Sequence, residues 1–137
     1  MRYLLLILML LLQPAMAGGE DFIIIVNKHG PLVNADVSTV RDIYLGEKRF
    51  ARNTKLMPVH MVEGSLKESF LNRVVGMSPK EYKLHWVKKV FQEGITPPPS
   101  MASVADIIAL VSKDRGAIAY IPAGYSKYLV DVVVIGP

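Results

Sequence analysis

The sequence contains no cysteine, so neither a disulfide nor a lipid-attached cysteine behind an export signal is available, and the fold must hold by its apolar core alone. Histidine is scarce: His29, His60 and His85 have no ligand-like spacing to one another or to carboxylates, which argues against a metal site. Charge of neither sign dominates. Removing Arg2 from the 16 basic residues leaves 15 against 12 acidic ones, a balance that argues against nucleic acid as a partner and suits an anionic ligand or a slightly basic solvated surface. There is no internal repeat, and no low-complexity segment beyond one triple proline. Ser126 and the other hydroxyls lack a nucleophile-elbow context, and no Ser/His/Asp order points to hydrolysis. Nothing in the sequence calls for a cofactor, and the chain reads as a non-enzyme.

Long hydrophobic runs are also missing, with one exception at the start. Met1-Arg2 is a short basic beginning, Tyr3 to Leu12 is apolar, and Gln13-Pro14-Ala15-Met16-Ala17 ends in a small-residue A-x-A site. That pattern is a secretory signal peptide over residues 1–17, with cleavage after Ala17. The run is too short to span a bilayer as a stable helix. Residues 18–137 are then one ordinary domain, periplasmic or secreted.

Within that domain strands and helices alternate. Phe22-Ile23-Ile24-Ile25-Val26-Asn27 is a continuous β-branched run, the pattern of a strand covered on both faces. A helix starts near Asp36 or Ser38, carries Val40, Ile43 and Tyr44 on one face, and stops at Gly46. Glu47 to Lys55 is a charged connector; its Lys48, Arg49, Arg52 and Lys55 form an exposed loop, or else a rim that attracts anions. Leu56 to Met61 is the second strand. Leu66, Phe70, Leu71, Val74 and Val75 give a helix ending near Gly76. Ser78-Pro79-Lys80-Glu81 opens the next with a Ser cap, an early Pro and a Glu three residues on. Its buried face is expected to be Tyr82, Trp86, Val87, Val90 and Phe91. Thr96-Pro97-Pro98-Pro99 is a stiff connector, Ser103 and Asp106 cap a helix with Val104, Ile107, Ile108 and Val111 inward, and two strands close the domain, Gly116–Ile121 and Leu129–Ile135. The expected fold class is a three-layer α/β/α domain.

The stretch from Val59 to Phe70 carries the functional question. An apolar run, a Gly64-Ser65 turn and a helix start aim free backbone N–H groups and a positive helix end at an anion. A competing local structure uses the same atoms. Ser65-Leu66-Lys67-Glu68 fits a capping box, in which Ser65 accepts from the Glu68 N–H and the Glu68 carboxylate accepts from the Ser65 N–H. Both readings stay open on the sequence. Asn27 and Lys28, at a strand end where ligands lie in open α/β sheets, are second candidates.

Four pieces in order, Val26-Asn27-Lys28, Val40-Arg41-Asp42-Ile43-Tyr44-Leu45-Gly46, Pro58-Val59 with Glu63-Gly64-Ser65, and Gly116-Ala117-Ile118-Ala119-Tyr120, resemble the phosphate-binding substrate-binding proteins of ABC transporters, in the class II periplasmic binding protein superfamily. The resemblance covers nearly all of the domain but about one of the family's two lobes. It implies a single lobe of a class II periplasmic binding protein. It also implies a small oxyanion such as phosphate as ligand and a membrane permease or other envelope protein as partner. By the same resemblance Glu63 is the acid that accepts a hydrogen from protonated phosphate, Gly64 the loop glycine and Ser65 its hydroxyl, so that backbone N–H groups at Gly64–Leu66, helped by Ser65 and Lys67, hold the anion. Leu66-Lys67 stand where the family's loop has Gly-Thr. The alternative is an orphan lobe that has kept the fold, lost the ligand and serves as an envelope interaction module.

Overall fold

The computed structural model describes residues 21–136, so the expected signal peptide over residues 1–17 lies outside the described residues. Strand β1 (Phe22–Asn27) is one of the two inner strands of the four-stranded main sheet. It pairs antiparallel with β7 (Ala117–Pro122) on one side and with β8 (Val132–Ile135) on the other. Strand β4 (Met57–Pro58) adds to β7 in parallel, giving the order β4-β7-β1-β8.

The sheet is covered on both faces, as the unbroken Phe22–Asn27 run predicts. Ile24, Val26, Ile118 and Tyr120 point to one side, where they pack with α1 (Val37–Tyr44), α2 (Ser65–Phe70) and α3 (Pro79–Glu93). Ile25, Ala117, Ala119 and Ile121 point to the other, against α4 (Val104–Lys113). Ile24, Ile25 and Val26 are all fully buried, each contributing roughly 1.5–3 kcal/mol by leaving water. The three-layer α/β/α arrangement is therefore present, with a mixed sheet.

The helix boundaries follow local chemistry. Asp36 caps α1, accepting from the Thr39 N–H at 2.8 Å. Ser78 and Glu81 form the expected capping box on α3, with Pro79 in its first turn. Helix α2 runs on into a π-helical turn over Leu71–Val75, closed by Gly76 at φ 76° with its N–H donating to the Leu71 carbonyl at 2.7 Å. Gly94 ends α3 in the same left-handed geometry, at φ 67°, which costs glycine no steric penalty.

Four expectations are corrected. The strand expected over Leu56–Met61 is split at Val59. Its first part pairs with β7, and its second, β5 (His60–Met61), leaves that sheet to pair in parallel with β6 (Ser100–Met101). The connector Glu47–Lys55 contains a small hairpin, β2 (Phe50–Ala51) and β3 (Thr54–Lys55). Its turn residues Arg52 and Asn53 lie at φ 48° and 65°, the type I′ geometry that matches strand twist. The last strand begins at Val132 instead of Leu129. On α3, Tyr82 and Trp86 are buried as expected, but Val87, Val90 and Phe91 are exposed and Lys89 takes the remaining inward position. The reason is angular: at 100° per residue, 82, 86, 89 and 93 share one face, whereas 87, 90 and 91 are turned away from it.

Two loops meet at Gly116, where a Cβ would sit 1.9 Å from the Lys55 carbonyl oxygen. Replacing Gly116 by Ala forces this backbone contact apart and is expected to lower unfolding free energy by about 1–3 kcal/mol. Gly124→Ala, into open space, is expected to change it little. Urea denaturation of the two variants checks the contrast.

Candidate functional site

The turn between β5 and α2 is held from below by a buried polar chain. His60 is 1% exposed and is bonded on both ring nitrogens, Nδ1 to the Tyr120 hydroxyl and Nε2 to the Tyr82 hydroxyl, each at 2.7 Å. The proton order follows from the far end. The Tyr44 carbonyl can only accept, so the Tyr82 O–H donates to it at 2.9 Å. The Tyr82 oxygen then receives the His60 Nε2–H, and Nδ1 accepts from the Tyr120 O–H. Tyr44 donates its own hydroxyl to the Val59 carbonyl at 2.9 Å. Burial pushes the phenols of Tyr44, Tyr82 and Tyr120 up, so all three stay neutral donors. Burial, with the nearby Lys67 charge adding to it, lowers the His60 pKa to about 3.

Three residues beyond His60 the chain reaches the candidate turn. Gly64 is the N-cap of α2, no side chain caps the helix, and the Glu68 N–H donates to the Gly64 carbonyl at 3.1 Å. Ser65 is thus the first helical residue, one place too late to act as a cap, and the expected Ser65–Glu68 capping box is not formed. The first N–H groups of a helix have no intrahelical acceptor, so this turn keeps its donors. Ser65 is exposed and Leu66 is buried as the anchor of the turn.

Lys67 and Glu63 form an ion pair of 2.6 Å across the turn. The lysine side chain is only 12% exposed while the glutamate is 81% exposed. The lysine stem is buried while the carboxylate points outward, and the two charges offset one another beside the turn. Ser69, one helical turn after Ser65, is buried with a hydroxyl that has no partner among the described residues.

The structure brings Glu63, Gly64, Ser65, Leu66 and Lys67 together and keeps Asn27 and Lys28 apart from them. The register runs β4 and β5 alongside β7 away from the Val26–Ile118 end of the sheet. The turn therefore lies towards the start of β1, where Phe70 packs edge-on to Phe22 at 5.4 Å and Arg73 reaches Asp21. Asn27 sits at the opposite end, 4% exposed, donating to the carbonyls of Val111 and Ser112 and accepting from the His29 N–H. Its hydrogen-bonding groups tie β1 to the end of α4. Lys28 beside it is exposed.

Next to the turn lies an open groove of about 760 Å³. Its floor includes Leu71, Tyr82 and Trp86, its wall Val87, Val90 and Phe91, and its rim Glu63, Lys67, Lys80 and Lys83. Sequence reasoning missed this groove because Val87, Val90 and Phe91 look like core at helical spacing. It also missed the His60 clamp, since a histidine followed by tyrosines far along the chain has no local signature. Among the described residues there is no cluster of three or more His, Asp or Glu suited to a metal, and no helix long and apolar enough to cross a membrane.

The His60 clamp gives a pH dependence with a definite sign. A folded pKa of about 3, below the ordinary 6.5, means the stabilisation is complete above pH 6.5 and is lost as pH falls. The contribution is expected to decline by about 1.4 kcal/mol per unit below pH 6.5. Denaturation midpoints between pH 6.5 and 5 check this, because His60→Phe should be less stable at pH 7 yet show a flatter slope in that window.

No protein-family model matches the sequence, and no curated protein matches it. Solved structures do match the fold. One is an ABC-type phosphate transport receptor from Vibrio cholerae, at 18% identity and TM-score 0.59, over 85% of this chain and 45% of that one. Another is a putative phosphate ABC transporter substrate-binding protein with bound phosphate from Clostridium perfringens. It matches at 20% identity and TM-score 0.60, over 85% of this chain and 44% of that one. This chain spans less than half the length of either receptor, and over that part it shares their fold.

Proposed function

We propose that the protein is an exported solute-binding-type domain, 18–137, that takes a small oxyanion such as phosphate at the start of α2 and hands it to, or senses it for, a membrane permease or other envelope partner. The observation that carries this reading is the uncapped first turn. Gly64 leads the helix, the Ser65 hydroxyl is not used as a cap, and the backbone N–H groups of Ser65, Leu66 and Lys67 have no helical acceptor. Lys67 supplies the nearby charge. The fold shared with phosphate receptors adds support.

Glu63 sets the protonation state of the ligand in this reading. An outward carboxylate beside the anion repels a fully ionised one and accepts a hydrogen bond from one that keeps a proton. Phosphate retains a proton at neutral pH and sulfate does not, so phosphate is favoured. Asn27 and Lys28 have no part in it, being at the other end of the sheet.

A second reading, an orphan lobe serving as an interaction module, is favoured by the exposed apolar wall of Val87, Val90 and Phe91. Isothermal calorimetry separates the two. The anion reading predicts heat with phosphate, less with sulfate, and an affinity about three- to tenfold weaker in Ser65→Ala, the value of one hydrogen bond. No heat with either anion, in the unchanged protein and in Ser65→Ala alike, leaves the interaction module.

A further inference from the structure

Helix α3 has three faces instead of two. Tyr82, Trp86 and Lys89 share the inward face, Lys89 bonding Glu47 at 3.0 Å and, at the edge of that face, the exposed Glu93 at 3.3 Å. Glu81, His85 and Lys88 occupy a polar flank. Between these lies a stripe of Leu84, Val87, Val90 and Phe91, all exposed, with Phe91 at 86%. These positions repeat three and four residues apart, the spacing of a helix seam that packs against another helix. Isolated exposed apolar residues are ordinary, but a contiguous stripe over Leu84–Phe91, about two turns or ~11 Å of the helix, is a contact surface.

The charges at its two ends select the occupant. Lys80 and Lys83 stand at the N-terminal end and have no carboxylate partner among the described residues. Glu93 stands at the C-terminal end and pairs with Lys89 through one carboxylate oxygen only. A parallel partner helix of the same sequence would set lysines against lysines. An antiparallel one sets them against Glu93, with each helix macrodipole also opposed by its neighbour.

We infer that α3 is the self-complementary interface of a homodimer, in which two copies pack their Leu84-Val87-Val90-Phe91 stripes antiparallel across a two-fold axis at Val87. In that arrangement Val87 meets its own copy, Leu84 meets the partner's Val90, and Lys83 lies over the ring of the partner's Phe91 as a cation–π contact. Lys80 reaches the partner's Glu93. The same surface on both subunits is what an isologous two-fold contact requires. Because Val87, Val90 and Phe91 wall the groove whose rim holds Glu63 and Lys67, the second copy roofs the groove and brings the assembly close to the length of the receptors that one copy half covers. The interface stands whether or not the turn at Gly64 takes an anion.

Sedimentation velocity and light scattering of the exported chain at micromolar concentration test it, without any anion present. The unchanged protein is expected at twice the mass of one chain. Val87→Glu, at an exposed site that leaves the fold intact by circular dichroism, brings two carboxylates together on the axis and is expected to weaken the dimer about tenfold or more. Lys80→Glu and Glu93→Lys are each expected to weaken it, while an equimolar mixture of the two restores the doubled mass, since both end contacts are then complementary. A monomer at these concentrations, a dimer indifferent to Val87→Glu, or a mixture that fails to reassociate overturns the inference. A monomer that instead binds an acyl-chain amphiphile in the groove also overturns it, assigning the stripe to a ligand.

Discussion

The imidazole of His60 is the tie on which the candidate site depends. It sits where the chain leaves the main sheet at Val59, and its two short bonds join β5 to β7 through Tyr120 and to α3 through Tyr82. Tyr82 extends the tie to the end of α1 at the Tyr44 carbonyl, which also accepts from the Trp86 indole at 3.2 Å. Each such bond adds only about 1 kcal/mol net, but breaking one strands a buried hydroxyl at a cost of about 1–3 kcal/mol. Around it Phe70 stacks on Tyr120 at 3.9 Å, so the first helical turns after Gly64 are fixed to the same aromatic cluster. A preorganised turn is what anion binding by backbone N–H groups needs, because the donors must not be reordered when the ligand arrives.

That rigidity also explains why the two halves of the Leu56–Met61 run behave differently. Up to Val59 the run is a sheet strand against β7; from His60 onward it is a crossover whose N–H groups donate to Pro99 and Met101 carbonyls. That second edge is β6 with the Pro99 carbonyl just before it, positioned by the stiff Thr96–Pro99 connector. The groove opens on the outer side of this crossover, with Pro97 and Pro98 on one lip and α3 on the other. Glu63 and Lys67 of the turn and the apolar stripe of α3 therefore line one cleft, charged at one wall and apolar at the other.

Much of the fold was legible in the residues. The Phe22–Asn27 run gave a strand covered on both faces, Ser78-Pro79-Lys80-Glu81 gave a helix start to the residue, and the alternation gave the layers. The turn at Gly64 was legible as a place but not as a state. Whether Ser65 caps or begins the helix depends on one residue of register, which is set by Leu66 and Phe70 packing into the core and has no sign in the local sequence. The face of α3 misled for a related reason. Hydrophobic spacing marks where a helix is buried but not by what, and Val87, Val90 and Phe91 carry that mark without a cover from their own chain. His60 was unreadable because its partners lie 22 and 60 residues away, and only the topology brings them together.

The central claim is that the uncapped N–H groups at the start of α2 receive an oxyanion. Backbone amide spectra recorded through a phosphate titration test it most directly. The account predicts that the Ser65, Leu66 and Lys67 amide resonances move together to saturation, as protons drawn into charge-assisted hydrogen bonds do, while Asn27 and Lys28 stay still. Saturating shifts confined to Lys80 and Lys83, or no saturating shift anywhere in 64–67, would contradict it.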